Sequence, residues 1–167
     1  KKKPPPASPP WRGTDPVDNV EVWTDGGCKP NPGPGGWAAI LCYKDVRKEL
    51  TGSDPDTSNN RMELTAAAEA LEALKRPCKV KLHTDSQYLK DGITRWHTGW
   101  VRKNWKNATG DPVKNIDLWQ RILAAAKVHE VEWVWVRSHV GIALNERADE
   151  LATIARDEAA EMKRTKR

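Results

Sequence analysis

From Asn19 onward, hydrophobic and polar positions follow a two-residue period. Val20, Val22 and Thr24 alternate with Glu21, Trp23 and Asp25, which predicts a β-strand ending at Asp25. Asn31 to Gly36, Asn-Pro-Gly-Pro-Gly-Gly, is turn chemistry. Trp37 to Tyr43 resumes as an apolar strand, and Val46 to Thr51 completes an antiparallel meander. The period then changes to that of a helix, with Thr57 or Ser58 as its cap, an alanine-rich interior running to about Lys75, and Pro77 beyond its end. Lys79 to Thr84 is the fourth strand and Ser86 to Trp96 a second helix, followed by a basic, tryptophan-bearing segment to Lys106 and a loop to about Pro112. A helix over roughly Asn115 to His129, a strand over Val131 to Val136, and a helix from about Asn145 that can continue to Met162 close the pattern. Three adjoining strands followed by alternating helices and strands imply an α/β chain with a mixed sheet and helices on both faces.

The 167 residues suit one domain able to bury about two-thirds of its unfolded surface. Its expected bounds are 19–157. Residues 1–18 read as a flexible arm, since the first ten alone hold five prolines and three lysines, and 158–167 read as a basic tail. Lys1 in place of methionine points to a trimmed chain or one cut from a longer protein. Cys28, Cys42 and Cys78 are odd in number and irregularly spaced, which argues against a disulfide framework and makes the cytoplasm the expected compartment. No apolar run approaches the roughly 18 residues of a membrane span. The net charge of +5 favours polyanionic partners, though many proteins that bind none share it. Nine tryptophans stand beside two tyrosines and no phenylalanine, a bias with no physical account.

Four carboxylates stand out. Asp25 and Asp85 each follow a threonine at a predicted strand end, where open α/β sheets gather ligands, although a lone aspartate there more often makes only a turn. Glu63 shares a helical stripe with Ala67, Ala70, Leu71 and Leu74, so it points toward the core and needs a compensating cation; the competing reading is a partly exposed first-turn glutamate favoured by the helix dipole. Asp149 flanks the stripe of Ala148, Leu151, Ala152 and Ala155. Carboxylates gathered without a counterion raise one another's pKa. With no cysteine or histidine at ligand spacing beside them, the oxygen donors suit hard divalent ions such as Mg²⁺ or Mn²⁺.

Thr-Asp-Gly, Asn-Pro-Gly-Pro-Gly-Gly, Asn-Asn-Arg-Met-Glu-Leu, Thr-Asp-Ser-Gln-Tyr, Gly-Ile-Thr-Arg-Trp, Pro-Val-Lys-Asn-Ile-Asp-Leu-Trp and Asn-Glu-Arg-Ala-Asp-Glu-Leu-Ala occur here in one order. Across residues 20 to about 156 the chain resembles bacterial-type ribonuclease HI. The resemblance implies a ribonuclease H-like fold, a five-stranded mixed sheet with its first three strands antiparallel, and an endonuclease that hydrolyses the RNA strand of an RNA/DNA hybrid. It places Asp25, Glu63, Asp85 and Asp149 at the metal-binding catalytic tetrad and His139 at the mobile-loop histidine. Two Mg²⁺ ions about 4 Å apart would then support in-line attack of water, leaving 5′-phosphate and 3′-hydroxyl ends, with Mn²⁺ as a substitute.

The same resemblance points to Cys28, Asn31, Asn59, Asn60 and Gln87 as groove-facing residues, with Asn145 near the scissile phosphate. Asn59 and Asn60 have a competing role at a helix start. Arg95, Trp96, Trp100, Arg102, Lys103 and Lys106 lie in a stretch without acids, whose cations suit phosphate contact and whose indoles otherwise read as core anchors. His83, His97 and His129 lack a comparable setting and receive no role. The loop at 30–36 lacks the Gly-Lys-Ser/Thr of a nucleotide triphosphate site. A monomer is expected. Two alternatives stay open: a ribonuclease H domain excised from a reverse transcriptase, and a catalytically silent hybrid-binding module.

Overall fold

The computed structural model describes residues 18–136 and 143–165. Strands β1 (Asn19–Cys28), β2 (Gly33–Tyr43) and β3 (Val46–Thr57) form the antiparallel meander. Helix α1 (Asn59–Glu72) leads to β4 (Lys79–Thr84), and α2 (Gln87–Asp91), a π-helical turn (Gly92–Trp96) and α3 (His97–Arg102) follow without a break. Helix α4 (Ile116–Val128), β5 (Glu130–Trp135) and α5 (Ala143–Thr165) complete the chain. The sheet order is β3-β2-β1-β4-β5, with β1, β4 and β5 parallel to one another. The mixed five-stranded sheet expected from the sequence is therefore present.

Three strand ends differ from expectation. β1 runs through Asp25 to Cys28, β2 begins at Gly33 rather than Trp37, and β3 continues past Thr51 to Thr57. The glycines that read as a turn are paired residues instead, with Gly27 opposite Gly36 and Cys28 opposite Gly35. Pro55 is tolerated because β3 lies at the sheet edge. Asp25 consequently stands within a strand, with a strand neighbour on the β2 side to hold it.

Ser58 caps α1, its hydroxyl accepting from the Arg61 N–H at 3.2 Å, while Thr57 ends β3 as a buried residue. The second helix was expected to stop at Trp96, but helical structure continues to Arg102. Gly92, at the start of the π turn, lies flat against Trp119, where a Cβ would come within 2.0 Å of the ring. The boundary expected at 157 falls inside α5, which runs to Thr165, three residues past the extension to Met162 that the sequence allows. Asp18, assigned to the arm, is fastened to the domain by the Tyr43 hydroxyl at 2.7 Å and by Arg76. The rest of the arm, residues 1–17, lies outside the described residues.

Two hydrophobic cores sandwich the sheet. The larger joins Val20, Val22, Val80 and Leu82 to Leu64, Ala67 and Leu71 of α1 and to Leu118, Trp119 and Ile122 of α4. The smaller packs Trp23 and Ile40 against Ala148 of α5, with Leu144 and Leu151 at its margin. Apolar alternation on β1 thus serves both faces at once. Among the described residues, no helix is long and apolar enough to cross a membrane.

Candidate active site

Two glycines bring the acids together. A Cβ on Gly26 would lie 2.5 to 2.8 Å from backbone atoms of Met62 and Glu63, so only glycine lets α1 settle on β1 beside Asp25. On the opposite face, a Cβ on Gly36 would lie 2.4 Å from the Arg156 nitrogen and 2.6 Å from the Ala152 carbonyl oxygen, which is what lets α5 lie against β2. Ser53 reinforces that seat by donating to the Ala155 carbonyl at 2.7 Å, and Arg147 grips Glu49 of β3 at 3.0 Å.

Asp25 is buried, at 8% exposure, on the α5 face of β1. With Asp149, Gly27 and Arg156 it lines a pocket of about 130 Å³. Burial, the neighbouring Asp85 charge, and the hydrogen bond and charge of Asp149 together push the Asp25 pKa up to about 8, against a small opposing pull from the Gly26 N–H. Burial likewise pushes Glu63 up to about 7, opposed by a hydrogen bond from Ser86 and assisted by the Asp85 charge. Asp85 follows the end of β4, as the sequence predicts, in a second recess with Ser86, Gln87 and Lys90. Asp149 is exposed at the surface of α5. All four acids therefore converge: Asp25 with Asp149 on one side, Glu63 with Asp85 and Ser86 on the other.

Buried carboxylates that raise one another's pKa are short of positive charge. Asn145, one helical turn before Asp149, is 4% exposed, and its amide nitrogen has no hydrogen-bond partner among the described residues. No three His, Cys, Asp or Glu side chains among the described residues are drawn close enough to hold an ion unaided. The set fits ions that complete an oxygen shell with water and substrate phosphate, the habit of Mg²⁺.

A linkage prediction follows from these shifts. Below its raised pKa the native state holds protons on Asp25 and Glu63 that the unfolded chain, titrating near 3.8 and 4.5, has released. Stability without metal should therefore fall as pH rises through 7 and 8. His129 acts oppositely: burial lowers its pKa from 6.5, so it destabilises the fold as pH falls below that value. Urea denaturation between pH 6.5 and 8.5 should show the decline without Mg²⁺ and lose it with saturating Mg²⁺; a flat metal-free profile would contradict the burial of these charges.

The residues expected to face a nucleic-acid groove fall into two groups. The Asn59 side-chain oxygen accepts from the Cys28 N–H at 2.7 Å, and the Asn31 side-chain oxygen accepts from the Asn59 N–H at 3.2 Å and the Cys28 thiol at 3.3 Å. Asn60 is exposed, and Gln87 is exposed while donating to Asp91 at 3.0 Å. The structure thus joins Cys28, Asn31 and Asn59 into one network beside α1.

Arg95, Arg102, Lys103 and Lys106 are all exposed on the arm formed by the π turn, α3 and the following loop. Trp96, Trp100 and Trp105 are half-buried, their rings stepping inward through contacts of 5.8 and 6.1 Å, with Trp100 reaching Trp119 at 5.2 Å. The indoles fasten the arm and the cations face solvent. His139 lies outside the described residues.

Two contributors escaped the sequence reading. Ser86 caps α2 through the Leu89 N–H at 3.0 Å while bonding to Glu63. A serine before a helical run signals a cap, but nothing local announces its second partner. Arg61 forks onto Asp117 at 2.8 and 3.1 Å and reaches Asn115 at 3.0 Å, locking the start of α1 to α4. Those residues are more than fifty positions apart.

Comparison with known proteins agrees with this geometry. The RNase H family matches residues 17–157. A protein named Ribonuclease H from Acidiphilium cryptum is 68% identical over 144 residues, covering 86% of this chain and 90% of that protein. Another from Gluconobacter oxydans is 71% identical over 139 residues, covering 83% and 93%. One named Ribonuclease HI from Xylella fastidiosa is 60% identical over 136 residues, covering 81% and 91%. Among solved structures, LC9-RNase H1, described as a type 1 RNase H with the type 2 active-site motif, superposes with a TM-score of 0.78 at 36% identity, covering 87% of this chain and 75% of that one. With the sheet order, the four converging acids and these relatives in agreement, the chain belongs to the RNase H family, in its bacterial ribonuclease HI branch.

Proposed function

We propose that this enzyme hydrolyses the RNA strand of RNA/DNA hybrids at the cluster of Asp25, Glu63, Asp85 and Asp149, leaving 5′-phosphate and 3′-hydroxyl ends. The observation that carries the reading is the buried Asp25 carboxyl, 8% exposed and sharing a recess with Asp149, with burial and the neighbouring aspartates pushing its pKa up. Asp25, Glu63, Asp85 and Asp149 are the residues that would hold the divalent ions. The chemistry supplied by two bound divalent ions is activation of a water on one side of the phosphodiester and stabilisation of the leaving oxygen on the other. Mg²⁺ suits the donors, with Mn²⁺ as substitute.

The remaining work belongs to the chain. Cys28, Asn31, Asn59, Asn60 and Gln87 present polar groups for reading a 2′-hydroxyl in the minor groove. Asn145 offers to an anionic oxygen at the site its amide N–H, which has no partner among the described residues. His139 moves a proton or helps release product, a role open to histidine at neutral pH. The enzyme works as a cytoplasmic monomer.

The decisive experiment is turnover of a labelled RNA/DNA hybrid with and without Mg²⁺, beside duplex RNA, duplex DNA and single-stranded RNA. Metal-dependent cleavage confined to the RNA of the hybrid is expected. Binding without cleavage under any divalent metal would defeat the proposal.

His139→Ala should slow turnover by about 10²- to 10⁴-fold while leaving the metal requirement unchanged. Unaltered single-turnover and steady-state rates would remove His139 from the mechanism.

Arg95, Arg102, Lys103 and Lys106 would contact phosphates of the DNA strand. Changing all four to Ala should weaken binding to hybrids of any sequence and flatten the log-affinity against log-salt slope by up to about 0.9 per contact made. Titration of Asp25→Asn protein, with and without the four changes, at several salt concentrations measures this. A parallel shift with an unchanged slope would mean lost packing rather than lost phosphate contacts.

A further inference from the structure

Beneath the acids lies an aromatic pair that the reading above leaves without a role. The rings of Trp23 and His83 are stacked, with centroids 4.4 Å apart and planes 3° from parallel. They are register partners on the adjacent parallel strands β1 and β4. Each stands two residues before an aspartate: Trp23 before Asp25, His83 before Asp85. Trp23 also shares a buried cluster with Ala148, the residue preceding Asp149. The stacked plate therefore joins β1, which carries Asp25, to β4, which leads into Asp85, and through Trp23 it shares a core with α5, which carries Asp149.

The plate is held in orientation. His83 Nδ1 donates to the Val22 carbonyl at 3.0 Å, which places the ring proton on Nδ1, and the Thr24 hydroxyl reaches the His83 carbonyl at 3.4 Å. Trp23 is 7% exposed and enclosed by Ile40, Leu144 and Leu151. Its indole nitrogen has no partner among the described residues, so an apolar residue of similar size would lose no hydrogen bond there. The contact that the described residues give the Trp23 indole is through its face, which lies on His83. Stacking at this separation resists both sliding and spreading of β1 and β4 directly below the two acids.

We propose that the Trp23–His83 stack is a positioning plate that sets the separation of Asp25, Asp85 and Asp149 for divalent cation binding. Neither side chain is a catalytic residue; both act through the carboxylates above them. Cation binding needs these acids ionised, and once ionised they repel one another; the plate limits the spread, so less of the binding energy goes into closing the site. The proposal rests on the metal-dependent reading of the cluster given above.

The test is a calorimetric Mg²⁺ titration of the full chain, with metal-free hybrid binding and the Mg²⁺ dependence of cleavage measured alongside. His83→Ser and Trp23→Leu remove the stack from opposite sides, whereas His83→Phe keeps a stackable ring and loses the Val22 bond. Both truncations should weaken Mg²⁺ binding by about three- to tenfold, and His83→Phe should stay within about twofold, the scale of one aromatic pair. Metal-free hybrid affinity should not move, and cleavage by the truncated variants should recover toward the parental rate at high Mg²⁺. Parental Mg²⁺ affinity in a folded His83→Ser protein would overturn the proposal, as would a His83→Phe variant as weak as His83→Ser. Circular dichroism checks the fold; if one truncation unfolds, the other carries the test, and if both unfold, the stack is scaffold and the proposal fails. Failure of the unaltered protein to bind Mg²⁺ would instead defeat the reading of the cluster itself.

Discussion

Asp25→Asn should lower hybrid cleavage by about 10³-fold or more while changing hybrid affinity only a few-fold, since preorganised charge at the reacting centre is commonly the largest contribution to catalysis. The substitution keeps the shape of the side chain and removes the charge closest to both halves of the cluster. Asp25 is the acid most strongly affected by its neighbours, with burial, Asp85 and Asp149 all opposing its ionisation. An amide there cannot repel either aspartate. The metal-free variant should therefore melt at a higher temperature than its parent at pH 8, and the difference should shrink toward pH 6 as the parental carboxyl takes up its proton. Differential scanning calorimetry at the two pH values, together with a single-turnover assay at saturating Mg²⁺, measures both effects. Substantial residual cleavage would remove Asp25 from the metal-holding residues.

Gly26→Ala should destabilise the fold by about 1–3 kcal/mol, the usual cost of overpacking. It should also cut activity by about 10²-fold, because sub-ångström to ångström displacements of catalytic groups are expensive. The new Cβ would meet the backbone of Met62 and Glu63 at 2.5 to 2.8 Å, and backbone cannot swing aside as a side-chain tip can. α1 must lift from β1 and carry Glu63 away from Asp85. Gly27→Ala is the internal control, because its Cβ would meet only the Asn59 side chain, at 3.4 Å. Urea denaturation and kinetics on the two variants should separate them clearly. Equal stabilities would show that α1 is not seated as tightly as the contact implies.

The extent to which the site was legible in the sequence follows from the range of each signal. Strand and helix periods, the Ser58 cap, the stop before Pro77 and the fourth strand at Lys79 to Thr84 are local properties of neighbouring residues, and the structure has them as expected. The buried stripe of Ala67, Ala70 and Leu71 marked Glu63 as an acid turned toward the core, and its raised pKa agrees. Where local chemistry has two meanings, the reading went astray. Gly33 to Gly36 has the composition of a turn, yet its glycines continue β2 because α5 presses on Gly36, a contact made by residues more than a hundred positions later.

By itself, then, the sequence determined the order of the strands and main helices and the mixed α/β class, because periodicity, caps and turn residues act over a few positions. The tertiary structure alone decided that Asp25 lies inside a strand, that Ser86 reaches Glu63, that the tryptophans fasten the basic arm to Trp119, and that Trp23 stacks on His83. Each of these depends on chain segments meeting across the sheet or between helices. Such meetings are set by close packing, which chooses a neighbour by shape and leaves no periodic trace in either segment.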